Sequence, residues 1–196
     1  MKHLSAASAA IMLVSACEIS SEDTIAPIPP TVSISDVNQA FDRAEDASTL
    51  PFTAPTNLPT GSAIYDGQIG ADLSGDSLGS LLGDLTMQVD FAGNRIDGNV
   101  RNINLINQDG SPDQRLSGDL EIAGFETNGD IDAGAGGQLS AVSVDGEILS
   151  SDVNLDLEGA VRTDVVSGDT IYGVVTGDAR GDFNLDIDGR FYGDRR

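Results

Sequence analysis

The stretch Asp152-Val153-Asn154-Leu155-Asp156-Leu157-Glu158-Gly159-Ala160-Val161 alternates polar and apolar side chains at period two. Successive side chains of a β-strand point to opposite faces. This segment therefore reads as a strand with Val153, Leu155, Leu157 and Val161 buried and Asp152, Asn154, Asp156 and Glu158 in water. Two other segments repeat the pattern. Leu85, Met87, Val89 and Phe91 alternate with Asp84, Thr86, Gln88 and Asp90, and Phe183, Leu185, Ile187, Gly189 and Phe191 alternate with Asp182, Asn184, Asp186 and Asp188. Asp and Asn are poor strand formers, so burial of the apolar face, not intrinsic preference, must drive these strands.

Weaker alternation predicts further strands at 63–73, 95–105, 115–124, 127–133, 139–149 and 170–179. Turns are expected at Ala92-Gly93-Asn94, around Gly124, at Asp145-Gly146 and at Asp109-Gly110-Ser111-Pro112. This spacing describes an antiparallel meander. About eight strands in residues 61–196 suit a small up-and-down β-barrel filled by its own side chains. Gly98, Gly118, Gly159 and Gly189 are expected at strand positions where a closing sheet bends sharply. An outer-membrane barrel alternates too, with its apolar face toward lipid. Here Trp is absent and aromatics make up 5%, too few for two interfacial girdles. A lumen lined with Asp would also find few Arg partners. The expected fold class is all-β, a barrel standing in water.

The rest of the chain differs in composition. All 23 Gly lie at or after Gly61, whereas Pro112 is the single Pro beyond that point. Residues 18–34 and 48–60 are rich in Pro, Ser and Thr, and Ile25-Ala26-Pro27-Ile28-Pro29-Pro30 favours extended backbone, since a residue before Pro avoids the α region. Between these stretches Val37, Ala40, Phe41, Ala44 and Ala47 recur at helical spacing. A short amphipathic helix is predicted at about 37–47, capped by Asp36 with Gln39 completing a capping box. The reading adopted is a transient helix within a linker, with docking on the domain or on a partner as the alternative.

Residues 1–16 read as a signal peptide. Lys2 and His3 give a short basic start, and Leu4–Ala16 is an apolar run of secretory length, too short to cross a bilayer. It ends in Val14-Ser15-Ala16-Cys17, which resembles the lipobox of bacterial lipoproteins. The resemblance implies that Cys17 takes a diacylglycerol on sulfur, that cleavage falls just before it, and that its new amino group is acylated, for example with palmitate. Glu18 stands where an Asp would signal inner-membrane retention. The implied location is the outer membrane, facing periplasm or cell surface. Residues 17–60 are then a lipidated N-terminus and tether, and 61–196 the barrel domain. Several acyl chains, at about 0.8 kcal/mol per buried CH₂, anchor a protein without a transmembrane helix. A polyanion gains no attraction from an anionic leaflet, so the lipid must hold it unless divalent cations bridge the charges.

Composition narrows the chemistry. With 10 Lys+Arg against 32 Asp+Glu the formal charge is −22, and a basic nucleic-acid footprint is excluded. Lys2, His3 and Cys17 are the only Lys, His and Cys. After cleavage at the lipobox, Ser-His-Asp and Cys-His triads, Ser-Lys dyads and Schiff-base lysines are unavailable. The nitrogen and sulfur ligands of zinc, copper and haem sites are missing as well. Gly134-Ala135-Gly136-Gly137 precedes no Lys and no helix, so it is not a phosphate loop. Carboxylates alone remain for acid–base work. Asn184-Leu185-Asp186-Ile187-Asp188-Gly189 superficially matches the start of an EF-hand loop, but the twelfth position is Arg195 where Glu is required, and the segment reads as a strand. Arg190, Arg195 and Arg196 form a local positive spot, read as ion pairing with neighbouring Asp194, with the anchoring of an anion as the alternative.

Four segments carry a resemblance to a family. They are Ala63-Ile64-Tyr65-Asp66-Gly67 opening the domain, Leu82-Gly83-Asp84 leading into a strand, the hairpin Phe91-Ala92-Gly93-Asn94-Arg95-Ile96-Asp97-Gly98, and Phe191-Tyr192-Gly193 near the end. In this order they resemble the β-barrel domain of transferrin-binding-protein-B-like bacterial lipoproteins, which also include factor-H-binding and haem-scavenging relatives. The resemblance implies an eight-stranded antiparallel barrel on a lipidated, flexible anchor. This chain has a single barrel and lacks long, basic, aromatic-tipped loops, so no transferrin-contact residue carries over.

The expectation for function is a non-catalytic, lipid-anchored envelope lipoprotein whose barrel is a binding or surface-interaction module for a protein or small molecule. No enzyme activity, cofactor or metal site is expected beyond weak divalent-cation binding. The alternative is a structural or cation-collecting acidic envelope protein.

Overall fold

A computed structural model describes residues 25–164 and 168–196. Cys17, the leader and the first part of the tether lie outside the described residues. The described chain comprises one helix, α1 (Ile34–Thr49), a 3₁₀ turn at Pro55–Asn57, and nine strands. These are β1 (Ser62–Gly75), β2 (Gly79–Asp90), β3 (Arg95–Asn107), β4 (Pro112–Arg115), β5 (Leu120–Thr127), β6 (Asp130–Val142), β7 (Ile148–Asp164), β8 (Gly168–Gly181) and β9 (Leu185–Arg195).

Consecutive strands pair antiparallel except β4 and β5, which both pair with β3, and β9 returns to β1. The ring of eight is therefore closed, and the edge that remains is the side of β4 facing β6. The last strand closes the barrel through pairs such as Ile69 with Phe191 and Leu73 with Ile187. β4 and β5 together make one stave. β5 pairs with β3 at Ile96–Val100, β4 pairs further along at Asn104 and Ile106, and residues 116–119 break the stave between them.

The alternating segments behave as the period demands. Leu85, Met87 and Val89 on β2, Val153, Leu155 and Leu157 on β7, and Leu185, Ile187 and Phe191 on β9 all join the core inside the barrel. Their polar neighbours Asp152, Asn154, Asp156, Asp186 and Asp188 stand outside, exposed. Phe191 packs across two glycines that face it in register, Gly159 on β7 and Gly173 on β8.

A bulge in β3 changes one wall. The register with β2 shifts between Leu82 and Asp84, and Asn102 sits at φ +50°. Beyond it Ile103 and Leu105 point into the core while Asn104 and Ile106 are buried on the outer wall. Those outer positions lie beneath the N-terminal segment. Thr31 N donates to Asn104 Oδ1 at 2.8 Å, and Arg115 N donates to the Ile28 carbonyl at 2.8 Å.

Several expectations are corrected. Gly124 lies inside an unbroken β5, and the chain reverses instead at Asn128-Gly129, with φ +56° and +95°. That is a two-residue hairpin, whose twist demands positive φ at both positions. The strand expected at 127–133 therefore spans a turn, as does the one expected at 139–149, since residues 143–147 join β6 to β7. Gly118 belongs to the break between β4 and β5 and not to a strand.

The helix is longer than its apolar spacing indicates. Ser33, not Asp36, is the N-cap, and Asp36, not Gln39, completes the capping box, with Ser33 N donating to Asp36 Oδ2 at 2.7 Å. The helix is docked, which corrects the reading of a transient helix in a linker. Val37, Ala40, Ala44 and Ala47 bury against Leu82, Ile106 and Tyr192 on the outer wall, and Phe41 lies over Gly70. Small residues let the helix approach a wall whose side chains already project outward.

Candidate functional site

The two barrel ends differ. One end carries the β2–β3 and β5–β6 connections, the end of β7 at Asp164 and the start of β8 at Gly168, together with Gly61 and Arg196. It is capped by residues 53–60: Leu58 packs on the core, Thr53 N donates to the Val161 carbonyl at 3.0 Å, and Gly129 N donates to buried Glu126 at 2.6 Å. Tyr65, Met87 and Phe191, all fully buried, belong to the same core. Burial pushes the Tyr65 hydroxyl well above its ordinary pKa, and the nearby charge of Asp169 adds to the shift. It stays a neutral phenol.

The opposite end carries residues 76–78, 108–111, 143–147 and 182–184, and it is open. A cavity of about 460 Å³ enters the barrel there. Its wall is mainly apolar: Leu105 from β3, Leu116 from the stave break, Ala141 and Val142 from β6, Leu149 from β7, Phe183 from the β8–β9 connection and Leu185 at the start of β9. Pro27 closes one side. The polar lining consists of Gln114, Ser77, Ser143 and the carboxylates of Asp76, Asp113 and Asp182.

The mouth is held by side-chain clasps. Gln114 exchanges two hydrogen bonds with Val142, receiving its N–H at 2.9 Å and donating to its carbonyl at 3.2 Å. This ties β4 to β6 where strand pairing fails. Ser151 Oγ donates to the Phe183 carbonyl at 2.7 Å and receives the Phe183 N–H at 3.0 Å, fixing the ring at the rim. Asp76 accepts from Asn184 N at 2.7 Å, and Asp182 accepts from Ser150 N at 3.0 Å. Burial raises the pKa of Asp113.

The arrangement offers an apolar interior behind an acidic rim. It suits a molecule with an apolar body and an uncharged or cationic end, because a carboxylate or phosphate would face three acids with no Lys, Arg or His in the lining.

The other residues singled out in the sequence fall elsewhere. Cys17, the expected lipidation site, lies outside the described residues. Among the described residues no group of three or more acids, His or Cys is placed to hold a metal ion. The segment resembling a calcium loop is a strand from Leu185 onward. At the C-terminus, Arg195 pairs with Asp169 at 3.2 Å and Arg196 with Asp66, while Asp194 accepts from Thr170 Oγ1 at 3.0 Å. The pairing with Asp194 is thus replaced by pairings across strands.

Sequence reasoning missed Asp113, Gln114 and Val142. β4 has only four residues and no apolar alternation, so no periodic signal marks it. Comparison with protein-family models, curated proteins and solved structures yields no match to this chain.

Proposed function

We propose that this protein is a non-catalytic, lipid-anchored envelope lipoprotein, a small single-barrel relative of the transferrin-binding-protein-B-like group, whose barrel binds a small apolar molecule through its open mouth. The observation that carries the reading is the mouth cavity itself, about 460 Å³ and lined by the core residues Leu105, Leu116, Ala141 and Leu185, whereas the cleft of about 420 Å³ at the other end is lined by the capping residues 55–61 and the turns beside them. Its size falls in the range of about 300–1,000 Å³ typical of small-molecule sites, and its few polar groups are clustered at the rim. The lipobox ending in Cys17 supports the anchor, and outer-membrane placement rests on Glu18.

The test uses the full-length lipoprotein and the neutral fluorescent probe N-phenyl-1-naphthylamine. The expected result is saturable enhancement of its emission, lost in Ala141→Phe, which fills the cavity from β6 while leaving the circular dichroism of the barrel unchanged. Binding that is non-saturable, or that survives the filled cavity, refutes the site. Saturable uptake of Ca²⁺ without uptake of the probe favours the cation-collecting alternative. The anchor is tested by palmitate labelling, which Cys17→Ser should abolish.

A further inference from the structure

We infer that the open mouth is the membrane-facing end of the barrel, and that its cavity takes one acyl chain of a bilayer lipid whose head group is uncharged or cationic; this rests on the reading of Cys17 as a lipid anchor. Three observations converge. The first is the path of the chain. Pro27 lines the cavity, and Ile28 and Thr31 are hydrogen-bonded to Arg115 and Asn104 on the adjoining wall. Pro27 lies ten residues after Cys17, a span of at most about 36 Å even when fully extended. The tether therefore leaves the domain beside the mouth, whereas Gly61 and Arg196 lie at the far end.

The second is what the mouth exposes. Val144 on the β6–β7 loop is 98% exposed, Ile148 beside it 59%, Leu78 on the β1–β2 loop 52% and Ile25 at the start of the described chain 49%. Large apolar side chains held in water on neighbouring loops mark an interaction surface. Val144 lines the opening, and Leu78, Ile148 and Ile25 stand one or two residues from the lining residues Ser77, Leu149 and Pro27.

The third is the cavity's size and charge. A volume of about 460 Å³ lies low in the usual ligand range of about 300–1,000 Å³, which favours one chain over two. Asp76, Asp113 and Asp182 stand at the opening with no basic side chain in the lining, so a fatty-acid carboxylate or a phosphomonoester is repelled. A monoacylglycerol or an amine-headed lipid is not. The protein's strong negative charge points the same way, toward a neutral or zwitterionic surface.

The chain has no Trp, so a single introduced Trp reports its own surroundings. Val144→Trp at the mouth and Ala92→Trp on the β2–β3 turn are to be made in the full-length lipoprotein and reconstituted into phosphatidylcholine vesicles with brominated acyl chains. Val144→Trp should lose most of its emission and Ala92→Trp should keep it. Equal quenching, no quenching, or quenching of Ala92→Trp alone overturns the orientation. In the second arm, monoolein should displace N-phenyl-1-naphthylamine from the cavity and oleate at the same concentration should not. Equal displacement by both, or by neither, overturns the lipid assignment. Probe binding without displacement leaves the binding-module reading standing while this inference fails. A mass spectrum showing unmodified Cys17 refutes the anchor and the orientation together.

Discussion

Gly173 is the sharpest place to test how the barrel interior is filled. Its register partners are Gly159 on β7 and Phe191 on β9, and the three positions face inward together. A Cβ at Gly173 would stand 2.5 Å from Phe191 Cζ and closer still to the Glu158 carbonyl oxygen. Ordinary contact begins near 3.4 Å, so the ring must retreat by roughly an ångström into a core packed at crystal-like density. The carbonyl belongs to the β7–β8 ladder and yields less. Overpacking of this kind costs about 1–3 kcal/mol, set against a gain of about 0.5–1 kcal/mol for replacing a strand glycine by alanine.

Gly173→Ala should therefore lose about 1–2 kcal/mol, or roughly 2–8 °C in melting temperature for a domain of this size. Urea unfolding followed by far-ultraviolet circular dichroism reads the change as a lower midpoint at constant m. Repeating the substitution in a Phe191→Leu background separates the two clashes. The shorter side chain relieves the ring contact and leaves the carbonyl contact, so the cost should shrink by about 1 kcal/mol. A neutral or stabilising Gly173→Ala would refute the packing argument. An equal cost in both backgrounds would show that Phe191 is not the obstacle.

Other perturbations address the attachments and the mouth. Ala44→Glu places a carboxylate at the buried helix–barrel contact. It should detach α1, read as new proteolytic cleavage within Ile34–Thr49 while the barrel's strand signal persists. Asp113 has its pKa raised by burial, so the folded state binds its proton more tightly than the unfolded chain does. Its charge costs stability at neutral pH, and that cost fades as pH falls through the folded value toward the ordinary one. Asp113→Asn should be more stable than wild type at neutral pH, with the difference closing in acid on a series of thermal melts. Arg162 stacks on Phe52 at 3.6 Å and donates to the Leu50 carbonyl at 3.0 Å. Arg162→Lys keeps the charge but loses the planar stack. It should cost about 1 kcal/mol and speed hydrogen exchange at Thr53 and Thr163, whose amides tie residues 51–53 to β7.

Alternation carried the strands because a barrel wall has one dry face and one wet face, so Val153, Leu155 and Leu157 could declare their side without knowing their neighbours. The hairpin at Asn128-Gly129 was also legible, since that pair is a strong short-range turn signal; Gly124 drew attention from it. The helix was legible from Val37 to Ala47, and its true cap was written as Ser33 and Asp36. Its docking was not, because the partners Leu82, Ile106 and Tyr192 come from three strands distant in sequence.

The features written in short stretches of chain are local ones: which residues form strands, which side of each is apolar, and where the glycine-rich domain succeeds the proline-rich segment. Three features come from long-range contacts instead: β9 returns to β1 and closes the ring, a bulge at Asn102 turns Ile106 outward to receive a helix, and residues 53–60 cover one end while the mouth cavity opens at the other. The physical reason is range. Period and turn chemistry act over a few residues. Closure, docking and an open mouth depend on pairs such as Ile69 with Phe191 and Gln114 with Val142, which no local pattern records.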